Sequence, residues 1–321
     1  MPRSANEVKE AYAVEAFLGG FGRIGEAVLV VAVISGFLGL AVLASGRTPR
    51  RVRPSLSLFV FLSPASVLLL LGLVLPALVT AYLSLGSVSS SLGGGFDPSG
   101  LLSDGGSWRF LINTLFWAIV VPTASTACGL VLALVLTRIP RGGLLLHLFL
   151  LPMAMAYVGA AIAWGLSYRS VGVTASEVEG IGQYWNSLLL MVVMIWVQTG
   201  FATIVLAAAI RVIPVDLLEA ARLDGASGWA TLIKVKLPIL RSTILVILVA
   251  TMAVSIKVFD IVRTLGNGRF GTQVLANEMF QQTFVASNLP GGSALAMILL
   301  VGVSPLAAFL LTRFHRERAG D

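Results

Sequence analysis

The chain has 321 residues, 57% of them hydrophobic and only 12% charged, with a mean hydropathy of +0.94. A soluble globular chain is roughly 25% charged, so this composition excludes an ordinary soluble fold and describes an all-α integral membrane protein. The net charge of +7 does not imply nucleic acid, because the basic residues flank apolar runs instead of forming one patch with interleaved aromatics. Cys128 is the single cysteine, so no internal disulfide is available. With His147 and His315 far from it in the chain, no zinc site is expected, and no metal or other cofactor motif is present.

In chain order, residues 1–56 hold a tail, a first apolar stretch (24–44) and a basic linker with Arg47, Arg50, Arg51 and Arg53. Residues 8–17 suit a short amphipathic helix. A cleaved signal peptide competes with a first span, since residues 41–46 contain small residues near the end of an apolar run. The long tail before the run and the basic cluster after it argue for the span. Residues 57–315 hold six further apolar stretches, 58–83, 111–136, 144–168, 188–210, 239–262 and 293–312, each of about 20 residues or more and long enough to cross a bilayer. Pro76, Pro122, Pro152 and Pro305 lie within them and are expected to kink helices without preventing a crossing. Residues 316–321 form a tail.

The loops alternate in charge. One set carries Arg47 to Arg53, then Arg138 and Arg141, then Arg211, Arg222, Lys234, Lys236 and Arg241, then Arg313, Arg316 and Arg318. The other set, after the second span, holds only Arg109, Arg169, Arg263 and Arg269. The positive-inside rule places the first set, with the C-terminus, in the cytoplasm and the N-terminus outside. Among the outer loops, 84–107 contains Gly93-Gly94-Gly95 and reads as a flexible connection. The longer 264–292 mixes amides with Phe270, Phe280 and Phe284 and suits a short helix near 274–284. It is either a solvated connector or a docking surface for an external partner.

The stretch 211–241, RVIPVDLLEAARLDGASGWATLIKVKLPILR, is a polar interruption between two spans that still reads as helical. Pro214 suits a first helical turn, and Asp216 and Glu219 favour its positive end. Val215, Leu218 and Leu223 give that helix one apolar flank. Gly225 offers a turn, with Asp224 and Ser227 as local caps. A second short helix over 228–235 turns Trp229, Leu232 and Ile233 to one side, and Pro238 marks the start of the next span. The expectation is a helix-turn-helix at the membrane surface, too polar to cross.

Glu219-Ala220-Ala221, three residues, Gly225, nine residues and then Val235-Lys236-Leu237-Pro238 resembles the EAA loop of binding-protein-dependent ABC permeases, with Val235 where the family usually has Ile. Lys257 to Val262, Trp196 to Phe201 and Leu151 to Ala154 resemble the alpha-glucoside permeases of the maltose-type carbohydrate uptake group. The similarity covers most of 58–313. It implies a type I ABC importer permease (MetI-like) bundle of six core transmembrane helices, here with one N-terminal helix added. It also implies two cytoplasmic ATP-binding subunits, a second permease subunit and an extracytoplasmic sugar-binding protein. Asp216, Glu219, Ala220, Ala221, Asp224 and Gly225 are then the ATPase-coupling residues.

Energy must come from elsewhere. A P-loop needs Gly-Lys-Ser/Thr so that backbone amides and the lysine hold phosphates. The four lysines, Lys9, Lys234, Lys236 and Lys257, each follow Val or Ile. The chain is therefore read as a permease without its own ATPase activity, and not as an enzyme. The rival class is an ion-coupled secondary transporter, which commonly places carboxylates or lysines near the bilayer midplane. Lys257 and Asp260, three apart on one helix face, lie about 27–32 Å beyond residue 239 at 1.5 Å per residue. That puts them at the outer boundary, as a structural pair.

Sugars bind through aromatic faces and through hydroxyl and amide hydrogen bonds. Met194, Gln198 and Phe201 share one face near the midplane of one span, and Thr251 and Ser255 share one on the next. Their offsets from Glu219 match where the resembled permeases carry substrate contacts, so these five are the candidate substrate-binding residues. Gln198 equally suits a hydrogen bond to a neighbouring helix. Trp164 and Trp196 suit packing or an interface as well as sugar.

Overall fold

The computed structural model describes residues 65–89, 108–139, 142–173 and 181–319, and Leu62. The expected first span (24–44), the amphipathic helix at 8–17 and most of the 84–107 connection lie outside the described residues. The chain forms two compact units, Met1–Val79 and Thr80–Asp321. A helix beginning at Ala65 passes through a π turn, Leu70–Val74, into α1 (Leu75–Ser89). The wide turn precedes Pro76, which has no N–H to give to it.

The larger unit is built on α2 (Arg109–Leu136) and α5 (Ile181–Val212), which lie side by side along most of their length. Both are apolar all round, so periodicity alone does not choose a face. Glycine does. A Cβ on Gly129 would sit 2.5 Å from the Ala202 Cβ and 3.0 Å from backbone atoms of Ala202 and Thr203. A Cβ on Gly200 would sit 2.5 Å from the Phe149 carbonyl oxygen. Small residues thus let α5 approach α2 on one side and α3 (Gly142–Ala154) on the other, the packing that apolar helices in lipid require. Gly200→Val is expected to push α3 away and lower the midpoint of thermal unfolding in detergent by about 3–10 °C, equivalent to overpacking by about 1–3 kcal/mol. An unchanged melting curve would show that α3 yields freely.

Three apolar clusters fill the unit. Trp117, Val121, Ala160, Met191, Met194 and Ile261 pack together in one. Ala133, Ala202, Leu206, Ile210, Leu240 and Ile247 form the second, next to the 211–241 stretch. Phe110, Leu275 and Leu295 form the third, below the 264–292 segment.

The 144–168 stretch is not one straight span. It breaks at Met155–Ala156, and the two pieces, Leu145–Ala154 and Tyr157–Ser170 (α4), meet at 101°. Pro152 cannot donate to the preceding turn, the Met155 N–H closes on the Pro152 carbonyl at 3.2 Å, and Ala156 is extended at ψ 143°. Among the described residues five helices are long and apolar enough to cross a membrane, and six crossings result if this bent pair is one broken span.

The 211–241 stretch also departs from expectation at its end. The second short helix, α7 (Gly228–Thr231), does not stop before Pro238. It continues through a π turn, Leu232–Lys236, into α8 (Leu237–Ile256), so Gly228–Ile256 is one helix of 29 residues. The π turn lies where Pro238 withholds its N–H, and widening the helix there accommodates the ring. At its far end α8 stops at Ile256, six residues short of the expected 262. After a turn, α9 (Asp260–Leu265) begins anew. Lys257 and Asp260 therefore do not share a helix face, which corrects the paired reading.

The 264–292 segment holds α10 (Leu275–Phe280), extended by a π turn, Gln281–Val285, in agreement with the helix expected near 274–284. It is not a solvated connector. Leu275, Ala276 and Asn277 are buried. The Asn113 amide donates to the carbonyls of Gly271 (2.7 Å) and Gln273 (2.8 Å), and the Leu275 N–H donates to Thr114 Oγ1 (2.9 Å). The chain closes with α11 (Leu289–Ala319), which carries Pro305 in its interior without a break.

Candidate functional site

The surface helix forms as α6 (Val215–Leu223), with Pro214 at its N-cap in an extended conformation and Asp216 in the first turn. It is closed by a Schellman arrangement. The Ala226 N–H reaches the Ala221 carbonyl at 2.9 Å, the Gly225 N–H reaches the Arg222 carbonyl at 3.0 Å, and Gly225 adopts φ +77°. Asp224 occupies the C-cap. Ser227 then caps α7, accepting from the Ala230 N–H at 3.2 Å. Gly225 and Ser227 are thus used as their residue types suggest, and Asp224 joins the turn through its backbone N–H.

The expected apolar flank of α6 is split. Leu218 packs on the cluster of Ala202, Leu206 and Leu240, whereas Val215 and Leu223 face outward, Leu223 being 89% exposed. Trp229, on α7, is 71% exposed. Asp216, Glu219, Ala220, Asp224 and Gly225 are exposed, and Ala221 is half-buried. The loop therefore offers a mixed surface: acidic residues and small alanines next to unpartnered apolar side chains. Such a surface fits a protein partner better than water.

The substrate candidates all turn inward. Met194, Gln198, Thr251 and Ser255 are buried and Phe201 is half-buried. The structure does not gather them around one opening. Met194 is packed with Trp117, Val121 and Met191. Thr251 Oγ1 donates to the Ile247 carbonyl (2.7 Å) and Ser255 Oγ to the Thr251 carbonyl (2.8 Å), so both hydroxyl protons are committed to α8 while their lone pairs remain. Met194 alone of the five lines a cavity of about 260 Å³, with Tyr157, Val254, Lys257, Phe259 and Asp260. Tyr157 and Val254 were missed by sequence reasoning. Val254 is three residues from Thr251 on the same helix, and Tyr157 follows the break at Pro152, the one signal that could have marked it. Trp164 and Trp196 meet edge to face at 5.9 Å and pack on each other.

Residues 33–320 match the family model for "Binding-protein-dependent transport system inner membrane component". The chain belongs to this family. This inner membrane component is 35% identical, over 84% of its length and 86% of the relative's, to the alpha-glucoside transport system permease protein AglF of Rhizobium meliloti (strain 1021). It is 31% identical, over 80% of its length and 98% of the relative's, to the osmoprotective compounds uptake permease protein GgtC of Synechocystis sp.. Its fold matches a chain of a bacterial alginate ABC transporter, solved in complex with an alginate pentasaccharide-bound periplasmic protein, with a TM-score of 0.67 at 20% identity over 84% of this chain and 96% of that one. The inner membrane component is thus a multi-pass permease subunit with the type I importer fold. Nothing in these relationships supports an ion-coupled secondary transporter.

Proposed function

We propose that this permease carries an alpha-glucoside or related oligosaccharide into the cell, driven by ATP hydrolysis in a separate subunit. The observation that carries this reading is the exposed, Schellman-closed α6 joined by a fixed turn to a transmembrane helix. The relationship to an alpha-glucoside permease supports the cargo class. In this reading residues 57–315 are the transport domain, 211–241 its coupling loop, and 1–56 and 316–321 its flanking segments. Two cytoplasmic ATP-binding subunits, a second permease of different sequence and an extracytoplasmic binding protein complete the assembly. Asp216 and Glu219 meet basic groups of the ATPase, while Ala220 and Ala221 permit close approach in a groove. Asp224 and Gly225 hold the turn. Copurification of an ATPase, a second permease and a solute-binding protein with the tagged chain from its native membrane tests the assembly. Isolation of the chain alone under mild conditions would count against it.

The coupling role requires a cytoplasmic 211–241 stretch. In a Cys128→Ser background, Asp97→Cys and Gly180→Cys are expected to react with an impermeant thiol reagent from outside the cell, and Gly142→Cys and Gly228→Cys are not. External labelling at 228 would overturn the orientation and the coupling role together.

The sugar path in this reading runs along Met194, Gln198, Phe201, Thr251 and Ser255. Gln198→Ala and Ser255→Ala are expected to lower sugar uptake about tenfold or change its specificity, the value of one lost hydrogen bond to cargo. ATPase stimulation by the loaded binding protein should largely survive. A parallel loss of uptake, stimulation and protein yield would identify these as packing positions.

A further inference from the structure

A second, larger cavity of about 340 Å³, lined by none of the five sugar-path candidates, lies between the end of α4, the beginning of α5 and the turn after α9. Asn186, in its wall, precedes Val212 by 26 residues along α5. At 1.5 Å per residue this places the cavity about 39 Å from the coupling loop, at the opposite boundary of the membrane. Its interior is apolar, formed by Ile162, Leu166, Leu190 and Leu265. Two of its residues carry fixed charge, Arg169 and Arg269.

The two arginines are held differently. Arg169 is in the last turn of α4, where the helix end favours a cation. Arg269 belongs to a tight turn in which Asn267, Gly268, Phe270 and Gly271 all have positive φ. Its N–H donates to the Gly266 carbonyl, and its own carbonyl accepts from the N–H and the hydroxyl of Thr272. Of the other polar wall residues, Tyr168, Asn186 and Thr272 are engaged within the protein. The Tyr168 hydroxyl donates to the Leu189 carbonyl, and the Asn186 amide donates to the Phe270 carbonyl. Among the described residues neither guanidinium is engaged in an ion pair. What remains is an apolar recess with two cationic side chains exposed at a membrane boundary.

The geometry points to a binding site for an anionic phospholipid of that leaflet, with part of an acyl chain in the recess and the phosphodiester held by Arg169 and Arg269. Guanidinium groups bind phosphate through paired N–H donors, and a basic recess between transmembrane helices suits an anionic headgroup. Tyr168 and Phe270 add aromatic rings to the wall, but the Tyr168 hydroxyl and the Asn186 amide are already given to backbone carbonyls, and two guanidinium charges serve a phosphodiester better than a neutral sugar. A free anion would leave the apolar recess unfilled.

The test uses the full-length chain purified with its partner subunits in mild detergent, delipidated and then titrated with phosphatidylglycerol or phosphatidylcholine of identical acyl chains. Bound lipid is counted by native mass spectrometry. The expected result is one tightly held phosphatidylglycerol, not displaced by inorganic phosphate, with phosphatidylcholine about thirtyfold weaker. The pair Arg169→Gln and Arg269→Gln should lose the same factor. Arg169→Lys with Arg269→Lys, which keeps the charge but loses the paired donors, should lie between the native chain and the glutamine pair, and Leu166→Trp should weaken both lipids by filling the recess. Equal retention of the two lipids, unchanged retention in the glutamine pair, or displacement by inorganic phosphate alone would overturn the proposal.

Discussion

Gly129→Leu is expected to cost the cell most of its folded permease. The new side chain would have to occupy space already held by Ala202, and two of the three atoms in its way are backbone atoms of α5, which no rotamer change can move. The helices would separate, and the contacts of α2 with α5 on both sides of this point would loosen. An overpacked core typically loses about 1–3 kcal/mol, occasionally more. In lipid there is no hydrophobic drive to bring the helices back together, because tails pack on leucine as well as protein does. Monodisperse protein recovered in detergent should fall at least severalfold, with Gly129→Ala intermediate. Normal recovery and uptake by Gly129→Leu would mean that α2 and α5 have room to move apart.

The second large effect belongs to Glu219. Glu219→Lys is expected to reduce transport at least a hundredfold while leaving the amount of inserted protein unchanged. The carboxylate is exposed on α6, makes no contribution to the packed clusters, and lies next to the small residues Ala220 and Ala221. A charge reversed inside a desolvated protein contact opposes its former partner and dissociates the complex faster. Glu219→Gln, which removes charge without reversing it, should lie between the two. The measurement is sugar uptake together with recovery of the ATP-binding subunits on the tagged permease. Full uptake and full recovery by Glu219→Lys would leave this carboxylate as solvated surface.

Much of this architecture was legible because membrane helices announce themselves by length and apolarity. The 211–241 stretch was legible for a different reason: Gly225, Ser227 and Asp216 act through local backbone chemistry, and each is used as its residue type suggests. What the residue pattern did not distinguish was the effect of each proline. Pro122 and Pro305 are carried inside unbroken helices, a π turn precedes Pro238, and Pro152 is followed by a sharp bend. The choice among these outcomes depends on what packs beside each proline, which a linear pattern does not contain. The packing of the 264–292 segment was hidden likewise, since Asn113 meets Gly271 and Gln273 across some 160 positions of sequence. Among the substrate candidates, inward facing was predictable from spacing. The cavity beside Met194 was not, because Tyr157 arrives there only through the bend.

The uninterrupted helix from Gly228 to Ile256 has a mechanical consequence. A helix of 29 residues is about 43 Å long, enough to reach from one membrane surface through the whole hydrocarbon layer. Had the chain broken at Pro238, a push on Trp229 would be spent rotating a short stub. With the π turn in place of a break, the helical backbone runs on from Trp229 into the membrane segment, so a tilt of the whole helix would move its far end in proportion to its length. A tilt of about 10° would carry Ile256 through roughly 7 Å relative to Gly228, given a rise of 1.5 Å per residue. Such a stroke is comparable to the width of a sugar ring.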